Sequence, residues 1–158
     1  MFNKVYIKPN PNGDTRTAIK PVSFKEFHEA NVEHIKDVKK VMRFLGNKLI
    51  IQGINHDHTK LSYEDEFYDN FLSVNDGVNF LTNTWYQKHI QEEKHHPFSY
   101  CHEDINLLDI IETIADCICA GKARSGEVRP IEFNNEILKK AVANTVKLID
   151  EMTEVKEK

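Results

Sequence analysis

The sequence predicts an all-α fold, a bundle of five or six helices with a short N-terminal β-hairpin. Apolar residues recur at helical spacing over several long segments, and capping residues stand before them. An Asn-Gly turn separates two short β-favouring runs near the N-terminus. The 158 residues fit one domain. We expect a β-hairpin extension over 1–22, a helical core over 23–152 and a frayed tail over 153–158.

The N-terminal segments are justified by turn and capping chemistry. The runs Val5–Ile7 and Thr15–Ile19 flank Asn10-Pro11-Asn12-Gly13, which is a typical hairpin turn. Ser23-Phe24-Lys25-Glu26 has the capping-box spacing, in which the serine and glutamate side chains satisfy free backbone N–H groups. A long helix over roughly 24–51 should follow.

The remaining helices follow from apolar spacing and from residues that start or stop a helix. His34 shares a face of the first helix with Val38 and Leu45, so we expect it to point toward the core edge. The later helices are expected from Ser62, over 78–93, from Asp104 to a cap at Gly121, and from Asn134 or Asn135 to Met152.

Charge and composition exclude several classes of function. A formal net charge of -4 argues against binding to extended nucleic acid, which requires a basic face. No run of about 18 apolar residues occurs, so we expect no membrane span. Met1 to Lys8 show no apolar core of a secretion signal, and three cysteines suggest reduced thiols. We therefore expect a cytoplasmic protein.

Histidines and carboxylates are the residues that carry chemistry. The chain has eight histidines, most of them near carboxylates, and histidine is the commonest metal ligand. The adjacent His56-Asp57 can reach one ion where the backbone turns, and His34 is a candidate third ligand. Asp116 lies in the apolar segment IETIADCICA, where a charge must be paired or bound to a cation. Glu112 lies one turn before it, on the same face.

This order of residues resembles the H…HD…D signature of the HD-domain metal-dependent phosphohydrolases. The sequence is closest to small phage and bacterial HD-like proteins, and it supplies His34-Ile35, Asn55 to Lys60, Trp85 to His89, His95-His96-Pro97 and Asp116. The resemblance implies an all-α domain whose helices hold one or two divalent ions. The candidate ions are Mn, Fe, Co, Mg, Zn and Ni. It also implies the host cytoplasm if a phage encodes the chain.

The resemblance also implies roles for individual residues. Lys60, three places after Asp57, would face the phosphate, and Glu112 would orient the attacking water or a ligand histidine. A second ion, bridged to the first by Asp57, would take His89 and one of His95 or His96, with His95 favoured. The spacing leaves that choice open. Five further cations are candidate phosphate contacts: Lys88, Lys94, Lys122, Arg124 and Arg129.

Three functions remain open at this point. The favoured one is hydrolysis of a nucleotide or another small phosphoester by a metal-activated water. The second is a non-catalytic module that keeps the metal or binds a nucleotide. The third is an HD-fold di-iron oxygenase. The partner expected in each catalytic case is a small molecule, and the apolar helices leave room for a homodimer face.

Overall fold

The structure is a computed structural model that describes residues 4–14, 16–18, 20–128 and 130–156. It is mostly helical in that part of the chain, which confirms the all-α prediction. The helices are α1 (Phe24–Ile54), α2 (His58–Ser62), α3 (Glu64–Asn75), α4 (Thr84–Glu92), α5 (Leu107–Ser125) and α6 (Asn135–Met152). The strands are β1 (Val5–Ile7) and β2 (Thr153–Val155), and a 3-10 turn covers Phe80–Thr82.

The chain divides into two compact units, one formed by Met1–Leu49 with Val146–Lys158 and the other by Ile50–Thr145. In the first unit β1 pairs in parallel with β2, and Val5 lies opposite Thr153. Val5 also packs with Phe44 and Met152 in a small apolar core. The expectation that the chain forms a single domain stays a prediction.

The predicted N-terminal hairpin is wrong, and so is the frayed C-terminal tail. The Asn10–Gly13 turn forms, because Gly13 N donates to Asn10 O over 3.1 Å. The chain then turns again, since Thr17 N and Ala18 N both donate to Asp14 O. No second antiparallel strand follows among the described residues, and Thr15 and Ile19 lie outside them. The partner of β1 comes instead from the C-terminal end of the chain.

The second unit is built around α5. Ile105, Ile110, Ile137 and Ala141 form its buried apolar core. The helix begins at Leu107, later than predicted, because the Asn106 and Asp109 side chains form a reciprocal capping box there. It also ends later, since Gly126 and not Gly121 takes the left-handed cap, at φ 76°.

The other predicted starts are close to the observed ones. Ser23 and Glu26 form the capping box of α1, with Ser23 N donating to Glu26 Oε2 over 2.9 Å. The segment over 78–93 is divided, because Asn79 caps the 3-10 turn and Asn83 caps α4 separately. Asn134 accepts from Ile137 N over 2.8 Å at the start of α6. None of the described helices is long and apolar enough to cross a membrane.

Candidate metal centre

The adjacent His56 and Asp57 lie in a tight turn between α1 and α2. Asp57 has a left-handed backbone, with φ 55° and ψ 27°. Residues other than glycine rarely adopt this conformation, although aspartate tolerates it better than most. His58 N donates to Asn55 O, and Lys60 N donates to Asp57 O. The turn brings both side chains of the pair into one group with Asp116.

Three imidazole nitrogens surround one oxygen of Asp57. Asp57 Oδ1 lies 3.3 Å from His95 Nε2 and 3.5 Å from His89 Nε2. His96 Nε2 lies 4.0 Å from the same oxygen and 2.8 Å from His89 Nε2. Asp57 Oδ1 and His95 Nε2 are both buried without a hydrogen-bond partner among the described residues. Such atoms are rare in proteins and cost about 1–3 kcal/mol each.

Glu112 holds two of the histidines by the ring nitrogen that faces away from Asp57. Glu112 Oε1 lies 2.8 Å from His56 Nδ1 and 3.3 Å from His95 Nδ1. A carboxylate is an acceptor, so both Nδ1 atoms carry their proton toward it. In the neutral ring the Nε2 lone pair is then free. Carboxylates orient metal-binding histidines in this way in many proteins.

His89 is held by a different chain of hydrogen bonds. The Thr59 hydroxyl donates to Glu93 Oε1 over 2.9 Å and lies 2.6 Å from His89 Nδ1. A hydroxyl has one hydrogen, so Nδ1 of His89 must be the donor in the second contact. The Nε2 lone pair of His89 therefore faces the cluster, where it accepts from His96 Nε2 over 2.8 Å when no metal is bound. Trp85 stacks on the ring with centroids 4.8 Å apart and fixes its orientation further.

The other oxygen of Asp57 faces a different set of side chains, which are His56, Asp116 and Lys60. Asp57 Oδ2 is 3.3 Å from His56 Nε2, which in turn lies 3.6 Å from Asp116 Oδ1. Lys60 Nζ also contacts Oδ2 in a close ion pair. Among the described residues, four groups of three side chains are close enough to share a cation, and Asp57 belongs to three of them. Asp57 is thus placed to bridge two neighbouring positions.

The electrostatics of the cluster follow from its burial and its carboxylates. Burial alone lowers the pKa of His95, but the negative charges of Asp57 and Glu112 outweigh it and raise the pKa of His95 to about 9. Burial and then the charge of His96 lower the pKa of His89 to about 3. Burial and then the charge of His95 lower the pKa of His96 to about 4. When no metal is bound, the His95 imidazolium therefore lies beside the neutral rings of His89 and His96.

The carboxylates are held in their charged form. Burial raises the pKa of Asp57, but its close contacts with His95 and Lys60 and the charge of Lys60 outweigh it and bring the pKa well below its usual range. Burial likewise opposes ionisation of Glu112, whereas its contacts with His95 and His56 lower its pKa overall. A divalent cation can replace the proton of His95 here, because metal binding to histidine releases protons.

The donor set fits a divalent metal ion. The unpartnered Asp57 Oδ1 and His95 Nε2 face each other, and the Nε2 atoms of His89 and His56 lie beside the same carboxylate. Mixed imidazole and carboxylate ligands suit zinc, iron, manganese, cobalt or nickel. Glu112 and Thr59 form hydrogen bonds with the ligand histidines, and Lys60 forms an ion pair with the ligand Asp57. Such contacts orient the metal ligands.

Most of the site residues predicted from the sequence lie together in the structure. The cluster includes all but one of the ligands and catalytic residues that the sequence singled out: His56, Asp57, Lys60, His89, His95, His96, Glu112 and Asp116. Both members of the His95–His96 pair face Asp57, although His95 is nearer and more deeply buried, with 1% of its side chain exposed.

His34 is the exception. It lies on α1, 20 positions before the end of that helix, and it is exposed. The expectation that it points toward the core edge is wrong, because α1 buries Ala30 and Phe44, whereas Val38 beside His34 is 46% exposed. No cation-binding group among the described residues includes His34. Its assignment as a ligand stays a prediction.

Sequence reasoning missed the residues that support the ligands. Glu93 is buried, with 6% of it exposed, and it accepts from Thr59 N and from the Thr59 hydroxyl, while His58 Nδ1 lies 2.9 Å from the same carboxylate. In the sequence it stands beside Glu92 in a charged stretch, and nothing in that pattern separates the two. Of the five other cations, Lys88 and Lys94 are paired with Glu66 and Asp104, and Arg129 lies outside the described residues.

Comparison with known proteins places the chain without assigning it an activity. A family model described as "Family of unknown function (DUF5662)" matches residues 23–155. That range contains the whole cluster around Asp57. No curated protein and no solved structure matches the chain. The function must therefore be inferred from the geometry of the cluster.

Proposed function

The chain belongs to the DUF5662 family, and we propose that it is a metal-dependent phosphohydrolase of the HD-domain type. The observation that carries this proposal is the arrangement around Asp57. One oxygen of this buried carboxylate faces Nε2 of His89, His95 and His96, and the other faces His56 and Lys60. The substrate is a nucleotide or another small phosphoester.

The residues divide into two sets around Asp57. His89, His95 and His96 would hold one ion with Asp57 Oδ1, and His56 and Asp116 would hold a second one with Oδ2. A divalent ion there supplies a water of lowered pKa and stabilises charge on a phosphoryl oxygen. Water attack at phosphorus breaks the bond to the ester oxygen, so phosphate and an alcohol are released.

The chain's own side chains act around this reaction. Lys60 is 31% exposed and forms an ion pair with Asp57, so it can meet the phosphoryl oxygens of an incoming substrate. Glu112 holds His56 and His95 so that their Nε2 atoms face Asp57. It is a positioning residue, since its Oε1 is engaged with the two rings. Asp57 itself would be a ligand, and its catalytic role is to hold the two positions together.

Elemental analysis and a turnover assay on the same preparations test the proposal. The protein is purified without chelator, its metal content is measured, and phosphate release is scored on a panel of nucleotides and simple phosphoesters with Mn, Co, Mg or Fe. The key variant is Asp57→Ala, which removes the residue common to three of the four groups. We expect it to lose metal and turnover while the helical circular dichroism is retained.

Asp69→Ala is the matched control, because Asp69 is an exposed carboxylate on α3 in the same unit. It should keep both the metal content and the activity of the wild-type protein. Retention of metal and turnover by Asp57→Ala would refute the site. A wild-type protein that binds metal stoichiometrically but releases phosphate from no substrate would refute the hydrolase and leave a metal-binding module.

A di-iron oxygenase is a second candidate because the cluster is rich in nitrogen. His56, His89, His95 and His96 offer four imidazoles beside Asp57 and Asp116, and iron accepts this mixture of ligands. The two functions differ in a simple measurement. An oxygenase would purify with iron and change its visible spectrum on exposure to oxygen, whereas a hydrolase would release phosphate without oxygen.

A further inference from the structure

A cleft of about 690 Å³ opens beside Asp116 in the second unit. Its size lies in the range of small-molecule sites, which is roughly 300–1,000 Å³. Cys117, Ala120, Gly121 and Arg124 form one wall, because their spacing places them on a single face of α5. The cleft therefore begins at the metal cluster and extends along this helix for eight residues, or about 12 Å, from Asp116 to Arg124.

The opposite side of the cleft is apolar. Phe98 lines it and is 54% exposed, yet its ring is stacked on Phe133 with centroids 4.9 Å apart. Phe133 in turn packs on the buried core of the unit. The exposed ring is thus anchored from behind and presents a fixed face to the cleft. Ile131 and Pro130 extend the apolar wall.

A donor and an acceptor lie in the same cleft, away from other partners. Arg124 and Glu132 both line it, and neither forms an ion pair with any residue in the described part of the chain. A guanidinium donates several hydrogen bonds in one plane, whereas a carboxylate only accepts. Together they can bind a ring edge that offers both an acceptor and a donor.

Gly121 allows the loop after α5 to approach the helix closely at one end of the cleft. A Cβ at this position would come within 2.5 Å of Glu127 O, so the loop after α5 can lie against the helix only because the residue is glycine. This contact places Glu127 and Val128 against α5, beside the cleft that Gly121 lines.

We propose that this cleft binds the leaving group of the phosphoester, and that Phe98, Arg124 and Glu132 select a flat ring with a mixed acceptor and donor edge, such as that of a purine base. The inference rests on the proposed function for the phosphate end of the substrate. The phosphate would lie at the Asp116 end, the base would stack on Phe98, and its edge would meet Arg124 and Glu132. These three are specificity-determining residues and lie outside the metal cluster.

Binding and turnover are measured separately on the metal-loaded protein. Purine and pyrimidine nucleosides without phosphate are titrated by calorimetry, and kcat/KM is determined for purine nucleoside monophosphates and for glycerol phosphate, which has no ring. Phe98→Ala and Arg124→Met should each weaken purine binding about tenfold or more, as expected for one stacked base or one paired edge. Turnover of glycerol phosphate should not change.

Two exposed residues provide matched controls. Phe71 on α3 is 60% exposed, and Arg43 is an exposed arginine on α1. Phe71→Ala and Arg43→Met should leave purine binding unchanged. Glu132→Gln keeps the shape of the side chain and should weaken purine binding while it spares the fold.

The outcomes distinguish the cleft from the hydrolase. If Phe98→Ala and Arg124→Met weaken purine binding no more than the controls do, the cleft assignment is overturned. It is also overturned if the wild-type protein hydrolyses glycerol phosphate but binds no purine nucleoside. If no phosphoester is hydrolysed, yet purine binding depends on these residues, the cleft assignment is supported and the hydrolase is refuted.

Discussion

Replacing Thr59 by valine should weaken metal binding without touching any ligand. The two side chains have similar shapes, so the change removes one hydroxyl from a residue that is fully buried. That hydroxyl forces His89 to carry its proton on Nδ1, because its own hydrogen is donated to Glu93. In Thr59→Val, the His89 ring can rotate or move its proton to Nε2. In that tautomer Nε2 has no lone pair with which to bind a cation.

The magnitude follows from counting the groups that lose a partner. Glu93 keeps the bond from Thr59 N and the close contact with His58 Nδ1, so it stays satisfied. His89 Nδ1 is left without its acceptor on a side chain that is 3% exposed. One unsatisfied buried group costs about 1–3 kcal/mol of folding free energy. Loss of such a support for a ligand typically lowers metal affinity about 10- to 100-fold.

The assay combines denaturant unfolding of the metal-free protein with a competition titration of metal against a chelator. Thr145→Val is the matched control, because the Thr145 hydroxyl is also buried, donates to Ala141 O and accepts from Leu107 N, but contacts no histidine. Both variants should lose stability, and only Thr59→Val should lose metal affinity. Equal metal affinities in the two variants would refute the role given to Thr59.

Three further predictions address the charge of the cluster and the cleft. The metal-free protein should lose up to about 3 kcal/mol of unfolding free energy between pH 6.5 and 9, because the raised pKa of His95 stabilises the fold fully below 6.5 and this contribution is lost as pH rises through about 9. The neighbouring histidines with lowered pKa values change charge in the folded protein only below that window, whereas burial raises the pKa of the Cys117 thiol, so the denaturant titrations at the two pH values use Cys117→Ser as the background; a stability that does not fall there would contradict the charge of His95. Glu112→Gln should lower metal affinity about tenfold or more in the chelator titration, since His56 and His95 lose a charged acceptor; unchanged affinity would show that Glu112 does not position them. Gly121→Ala should destabilise the protein, whereas Gly46→Ala, in open space on α1, should stabilise it by about 0.5–1 kcal/mol. Thermal unfolding of both variants tests this, and unfolding temperatures that shift in the same direction would contradict the close approach at Gly121.

Local patterns in the sequence carried the prediction of the helices. The Ser23–Glu26 capping box, the Asn134 cap and the apolar spacing of α5 and α6 depend on residues within a few positions of one another. The pairing of β1 with β2 does not, since it joins Val5 to Thr153 across nearly the whole chain. A turn signal at Asn10–Gly13 cannot reveal that the strand finds its partner elsewhere.

The residues of the candidate metal centre were recognisable by type, because His56-Asp57 and Asp116 follow in order along the predicted helices and Asp116 is a charge within an apolar segment. Only the tertiary structure decided that both His95 and His96 face Asp57, and that Glu93 is buried while Glu92 is exposed. The physical reason is that the sequence states which groups can bind a cation or donate a proton. Convergence of these groups depends on long-range packing, which sets the distances and the burial on which their affinity and their pKa values depend.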